Sequence, residues 1–191
     1  MAPQIEIHLL GEMQVALDGA SLSGKRYAKV LALLAYLAVE SGRRHSREAL
    51  ADLLWPTLGT EEARTNLRQA LYYLRRAVGN NDFLVTDRTS VGVSEGSYWL
   101  DLEAFLAAEN SCPHCTAGQP PCSSCLNAMA RRMTLYRGDF LAGLTVEEVP
   151  AFEEWRAKQR EWLHCEALGL LERLRAGHEQ RGELEQALTY A

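Results

Sequence analysis

The sequence predicts a mainly α-helical protein with small β-sheets, divided into domains at residues 1–100 and 101–191. Two observations predict this class. In the first hundred residues, three stretches with helical periodicity lie between short stretches of alternating apolar and polar residues. After residue 100 the pattern is helical almost to the end of the chain. The second domain is therefore expected to be all α.

The chain opens with two predicted strands. Residues 5–9 alternate apolar and polar side chains, and the same alternation runs from residue 13 to Asp18-Gly19. Asp-Gly is a dipeptide typical of tight hairpin turns, so we expect short antiparallel strands here.

Two apolar helices are predicted next. The first runs from about Lys25 to Ser41 and ends at Ser41-Gly42. The second follows Ser46, whose hydroxyl suits an N-cap, and stops at Trp55-Pro56.

The third predicted helix covers residues 61–78, with Thr60 as its N-cap, and has two contrasting faces. At the helical period, six apolar residues lie on one narrow stripe that can face a core. They are Ala63, Leu67, Ala70, Leu71, Leu74 and Val78. The other face is rich in hydrogen-bond donors and carries Thr65, Arg68, Gln69, Tyr72 and Arg76, with Asn66 and Tyr73 at its edge. No acid lies between Glu62 and Val78. Such donors reach base edges and phosphates in a major groove, so the stretch predicts a DNA recognition helix rather than a merely solvated surface.

Strand patterns follow this helix. Residues 83–86 and 91–93 flank a turn at Asp87–Ser90, and Tyr98–Leu100 forms one further strand. Three helices followed by a hairpin are the plan of a winged helix-turn-helix. The hairpin tip would bring Arg88 to a DNA backbone or minor groove. Lys25 and Arg26 are further candidates for phosphate contacts.

Charge is unevenly distributed along the chain. Residues 1–100 contain 11 basic and 11 acidic residues, and residues 101–191 contain 9 and 14, which accounts for the net charge of −5. Residues 63–78 nevertheless contain four arginines and no acid. The first domain is therefore neutral overall but has a local concentration of positive charge at residues 63–78.

The first domain resembles the OmpR-like winged helix of the antibiotic regulatory protein (SARP-type) transcriptional activators. The resemblance rests on Leu53–Pro56, Ala63–Leu67 and Leu74–Ala77. It implies that Arg64 and Asn66 belong to the opening of the recognition helix.

The second domain resembles the bacterial transcriptional activation domain of the same regulators. The matching features are Asp101, Leu102 and Phe105, the segment Leu135–Leu144, and Trp155 followed by a helical hairpin. The resemblance implies a surface for RNA polymerase, a sigma factor or a second protomer, and a homodimer on direct repeats.

Long helices are predicted from about Pro150 to Gly177 and from about Glu183, a pairing typical of tetratricopeptide-like hairpins. Trp155 and Trp162 are expected to pack in the core. Cys165 is expected to be a small buried hydrophobe.

A cysteine cluster interrupts the second domain at residues 112–125. Cys112, Cys115, Cys122 and Cys125 form two C-x-x-C pairs, which suits one tetrahedral Zn²⁺ ion. Four thiolates saturate zinc, so the site is expected to be structural. Disulfides or free thiols, and an iron–sulfur cluster, are the alternatives.

These observations predict a cytoplasmic transcriptional regulator, an activator, that binds specific sequences of double-stranded DNA. The candidate DNA contacts are Arg64, Thr65, Asn66, Arg68, Gln69, Tyr72, Arg76 and Arg88. Phosphate-loop, dinucleotide and zinc-protease motifs are absent from the sequence, so no enzyme is expected. No stretch is long and apolar enough to suggest a membrane helix. The alternatives are a zinc-stapled protein-interaction adaptor without DNA binding, and a regulator whose zinc site also senses metal or redox state.

Overall fold

The computed structural model describes residues 5–16, 27–78, 82–107 and 121–191. The strands are β1 (Ile5–His8), β2 (Gln14–Ala16), β3 (His45–Ser46), β4 (Leu84–Thr86), β5 (Ser90–Val93) and β6 (Tyr98–Leu100). The helices are α1 (Ala28–Val39), α2 (Arg47–Leu54), α3 (Thr60–Ala77), α4 (Asp101–Leu106), α5 (Ser123–Met133), α6 (Pro150–Gln180) and α7 (Leu184–Thr189). None of the helices in these ranges has the length and apolar character needed to cross a membrane.

The winged helix-turn-helix consists of α1, α2 and α3 with the sheet β3-β5-β4. The predicted stripe of α3 is buried, with Leu67 and Leu74 no more than 1% exposed. Ser46 caps α2 as expected, because its Oγ accepts a hydrogen bond from the N–H of Ala49 at 3.0 Å. Thr60, expected as the cap of α3, is instead the first residue of that helix, and Gly59 is its N-cap.

A second sheet has the order β2-β1-β6. β1 pairs antiparallel with β2, as predicted, and parallel with β6, with Ile5 opposite Tyr98. The predicted Asp18-Gly19 turn lies outside the described residues. Sequence patterns did not reveal the short strand β3, which joins the wing by pairing His45 with Val91.

The described part of the second half of the chain is mainly helical. α6 packs against α5 and forms a helical hairpin with α7 through a turn in which Gly182 has a φ of +74°. Its buried side includes Leu163, Ala167, Leu170 and Leu174.

Two predictions about α6 are wrong. Trp162 is 45% exposed and Cys165 is exposed, because both lie outside the stripe that α6 buries. Trp155 does pack: its ring lies 5.3 Å from that of Phe152 and 5.0 Å from that of Tyr36.

The two halves share backbone and side-chain contacts. The N–H of Leu141 donates to the carbonyl of Leu9 at 2.9 Å, and the N–H of Gly11 donates to the carbonyl of Asp139 at 3.1 Å. Trp155 Nε1 donates to Glu40 Oε1 at 3.0 Å, which connects α6 to the end of α1. Apolar residues of both halves form one continuous buried cluster. The domain boundary at residue 100 stays a prediction.

Candidate nucleic-acid interface

The donor-rich side of α3 faces away from the core. We call its exposed residues the basic face: Thr65, Arg68, Gln69, Tyr72 and Arg76. Tyr72 is 59% exposed and lies edge-on to Tyr73, with ring centroids 5.8 Å apart. Within the described residues, the second half of the chain therefore leaves the basic face open.

Arg68 lies along the surface of α3. Its Nη2 donates to Thr65 Oγ1 at 3.0 Å, and its Nε donates to the carbonyl of Arg64 at 3.3 Å. Thr65 Oγ1 in turn donates to the carbonyl of Glu61 at 2.9 Å. These are exposed hydrogen bonds with modest net energies, so the guanidinium can exchange them for an external acceptor.

Arg64 differs from the other arginines of α3 because two carboxylates neutralise it. Its Nη2 lies 2.5 Å from Glu48 Oε1 and its Nη1 lies 3.0 Å from Glu61 Oε1. The hydrogen bonds to Glu48 and Glu61 raise the pKa of Arg64 above its ordinary value. Sequence periodicity did not reveal this, because Glu48 belongs to the preceding helix.

The wing tip is organised by hydrogen bonds to Asp87. Its Oδ1 accepts the N–H groups of Thr89 and Ser90, each at 2.7 Å, and its Oδ2 accepts Ser90 Oγ at 2.9 Å. These hydrogen bonds hold the pKa of Asp87 well below its ordinary value. Arg88, the predicted wing contact, is exposed beside this turn.

Two arginines that the sequence reasoning missed connect the wing to α2. Arg44 Nη2 lies 3.0 Å from Asp87 Oδ2, and Arg47 Nε donates to the carbonyl of Asp87 at 3.0 Å. The run Arg43-Arg44-His45-Ser46-Arg47, just before a helix of a helix-turn-helix, was the sequence signal. Across the wing, Arg75 Nη2 donates to Thr86 Oγ1.

A cleft separates α3 from the wing. It is lined by Ser46, Arg47, Glu48, Arg64, Leu67, Arg68, Asp87, Arg88 and Thr89. Four of these residues are arginines and two are acids, so the cleft has a net positive formal charge. Its charge suits an anionic group such as a phosphodiester backbone.

A second cleft lies where α3 approaches the helical half. Asn66, Gln69 and Tyr73 border it together with Thr145–Glu147, and Lys29 lies on its other side. Burial lowers the pKa of Lys29, while Glu148 and Glu147 act in the opposite direction. Asn66 is half-buried here, whereas the five residues of the basic face are exposed.

The predicted zinc ligands are only partly described. Cys112 and Cys115 lie outside the described residues, as do Lys25 and Arg26. Cys122 and Cys125 lie at the start of α5, with their Sγ atoms 3.6 Å apart. Two thiolates on one tetrahedral zinc ion, at about 2.3 Å each, are separated by about 3.8 Å, so this pair has suitable spacing. Within the described ranges, no group of three or more potential metal-binding side chains occurs.

No family model matches the sequence, and no curated protein does. Among solved structures, the fold is similar to that described as Mycobacterium tuberculosis EmbR in complex with low affinity phosphopeptide. The TM-score is 0.60 and the identity is 17%, over 98% of this chain and 57% of that chain. The chain thus spans little more than half of that structure. At this identity the likeness shows the fold alone, and it confirms the predicted class: mainly α with small β-sheets, a winged helix-turn-helix followed by a helical domain.

Proposed function

We propose that this protein is a sequence-specific regulator of transcription that binds double-stranded DNA with α3 in the major groove. One observation supports this most strongly. The basic face of α3 is exposed and free of acids, whereas its apolar stripe is buried. An α-helix fits the major groove, where arginine and glutamine can form two hydrogen bonds with a single base.

Phosphate contacts would come from the cleft between α3 and the wing. Arg47 and Arg68 lie on its two sides and Arg88 lies at the wing tip. Phosphate contacts of this kind fix the position of a protein on the duplex, and base contacts supply sequence specificity. Asp87 and Arg47 hold the wing tip close to the start of α2, which pre-organises the cleft.

The helical half would act on the transcription machinery. Its excess of acids disfavours a second DNA contact and leaves it available for protein partners. The resemblance to activators points to RNA polymerase or a sigma factor as the partner and to a homodimer on direct repeats.

Titrations of labelled DNA at several salt concentrations test the DNA-binding proposal. Because arginines that neutralise phosphates displace counterions, the logarithm of the affinity should fall linearly with the logarithm of salt concentration. Selection of sites from random DNA then reports the motif and the half-site spacing. The adaptor alternative predicts no salt-sensitive binding and no enriched motif, and that result would remove the DNA-binding proposal.

We also propose that Cys112, Cys115, Cys122 and Cys125 hold one structural Zn²⁺ ion. The 3.6 Å Sγ–Sγ distance supports this, as does the place of Cys122 at the N-terminus of a helix, where a thiolate is favoured. Because both pairs would bind the same ion, the segment between α4 and α5 would be tied to the start of α5.

Metal analysis of the purified protein should find one zinc per chain, and Cys122→Ser should lose it while Cys165→Ser retains it. A purely structural ion predicts a less stable Cys122→Ser protein whose folded fraction binds DNA normally. A metal or redox sensor instead predicts that removal of zinc changes the affinity of the folded protein for DNA. Zinc-free wild-type protein, or a Cys122→Ser variant that keeps its zinc, would contradict the site.

A further inference from the structure

A strip of exposed apolar residues lies on the outward side of α6. Trp162 is 45% exposed, Leu168 is 52% exposed, and Cys165 between them is also exposed. We call these three residues the α6 patch. Their spacing of three places them together on the side away from the buried Leu163 and Ala167. Grouped exposed apolar side chains, as opposed to scattered ones, are typical of an interaction surface.

We propose that the α6 patch pairs with the same patch of a second copy of this chain, with the two α6 helices antiparallel about a two-fold axis at Cys165. In such a pair each residue lies opposite the one equally distant from Cys165 on the other side. Trp162 then lies opposite Leu168 of the second copy, and Cys165 lies opposite itself. The two-fold axis repeats this contact, so the pair contains two indole–leucine contacts.

The charges that flank the α6 patch favour a second copy of this chain as its partner. Lys158 and Glu172 each lie seven residues from Cys165, so the same axis places Lys158 of one copy opposite Glu172 of the other. Their side chains are 73% and 62% exposed. Each already has an ion pair within α6, Lys158 with Glu154 and Glu172 with Arg175, which the contact with a second copy would share or replace. Self-complementary charge about one point is what an isologous contact requires, and a like pair at these positions would disfavour it.

The shape of the surface also fits close approach of two helices. Gly169 lies opposite Glu161 in this arrangement, and a Cβ built at Gly169 has no heavy atom within 4 Å. Together with the small side chain of Cys165, this permits the short interaxial distances of packed helices.

Such a pair has a consequence for DNA, which rests on the proposed function. Two copies related by a two-fold axis present their α3 helices symmetrically, which suits inverted half-sites, whereas the direct repeats proposed above need a head-to-tail arrangement of the copies. The half-site orientation found by site selection distinguishes the two arrangements. The pairing itself does not depend on DNA binding and is tested without DNA.

Sedimentation and light scattering over a wide concentration range should show a monomer–dimer equilibrium in the wild-type protein. Trp162→Glu should weaken dimerisation at least about tenfold, because it places a charge in the centre of the contact. Leu184→Glu is the matched control, since Leu184 is an exposed leucine at 65% on α7, outside the patch. A wild-type protein that stays monomeric, or equal effects of the two variants, would overturn the proposal.

Charge reversal tests the antiparallel register. Lys158→Glu should weaken the dimer, and Lys158→Glu combined with Glu172→Lys should restore it, with circular dichroism confirming that each variant is folded. Failure of the double variant to recover would reject this register.

Cross-linking tests the position of the axis. The oxidant diamide takes up two electrons and two protons as two Cys165 thiols form one disulfide, which requires their Cα atoms to approach within about 7 Å. A reducible dimer that forms in the wild type and disappears in Cys165→Ser supports the axis. A dimer band that persists in Cys165→Ser, or its absence from the wild type at dimer-forming concentrations, contradicts it.

Discussion

The carboxylate of Asp101 accepts the backbone N–H of Leu9, with Oδ1 and Oδ2 at 2.8 Å and 3.0 Å, although the two residues are 92 positions apart. Asp101 is fully buried, and its Oδ2 also accepts the N–H of Leu10 at 3.0 Å. Arg137 Nη2 approaches the same oxygen at 3.4 Å. One side chain therefore holds the N-terminal strand, the start of α4 and the segment after α5 together.

Asp101→Asn should lower the free energy of unfolding by about 2–3 kcal/mol, because an amide replaces charge-assisted hydrogen bonds and adds a donor facing other donors. Urea denaturation measures the change. Asp52→Asn, at an exposed position of α2, is the control and should change stability little. Equal effects of the two substitutions would show that the Asp101 contacts carry no special stability.

Arg68→Ala and Arg76→Ala should each weaken binding to the selected DNA site by about 1–3 kcal/mol if the side chain contacts a guanine. Arg160→Ala removes the same charge from an exposed position on α6 and should leave affinity nearly unchanged. Quantitative titrations at constant salt compare the three variants. If Arg68→Ala and Arg76→Ala both bind as tightly as the control, α3 is not the recognition helix.

Glu48→Gln should strengthen DNA binding roughly two- to fivefold, an energy within the range of an exposed ion pair. The substitution removes one of the two carboxylates that hold Arg64. Glu61 still pairs with Nη1, and Nη2 becomes available to a phosphate. Glu185→Gln, on exposed α7, changes net charge equally and serves as the control. No difference between them would mean that Arg64 supports the fold without contacting DNA.

The order of the wing tip should persist well into the acid range. Because hydrogen bonds lower the pKa of Asp87 in the folded state, the stability that they contribute is complete above the ordinary aspartate value of about 4. That stability is lost as the pH falls below this value toward the lower folded-state pKa. An NMR titration of the Asp87 carboxyl carbon and the Thr89 and Ser90 amides measures the midpoint.

Asp87→Asn should abolish this acid transition of the wing amides, while Asp82→Asn, an exposed aspartate before β4, should leave it in place. An Asp87 midpoint at or above the ordinary value would show that the turn is not held by these hydrogen bonds.

Two glycines of α6 should respond oppositely to alanine. A Cβ at Gly177 would lie 2.6 Å from Leu126 Cδ2 and 2.8 Å from Pro121 Cγ, so Gly177→Ala should destabilise by about 1–3 kcal/mol through overpacking. Gly169→Ala meets open space and should stabilise the helix by up to about 1 kcal/mol. Thermal denaturation at low protein concentration compares them. A Gly177→Ala protein as stable as the wild type would contradict the close packing assigned to Gly177.

Local patterns in the sequence were sufficient for most of the elements. The period of Leu67, Leu71 and Leu74 defined the buried side of α3, and Ser46 and Trp55 marked the ends of α2, because caps and amphipathic stripes are local signals. The pattern of alternation located the wing strands, although not β3, which is too short to show a period.

The environment of individual side chains required the tertiary structure. Arg64 meets Glu48, and Asp101 meets Leu9, across distances in the chain that no local pattern encodes. Trp162 and Cys165 appeared apolar enough for a core, but the described elements that pack against α6 cover its other side. By itself, the sequence determined which surfaces are apolar and which are basic; only the packing of the helices decided which arginines stay available and which apolar side chains remain exposed, since burial depends on what the rest of the chain places against them.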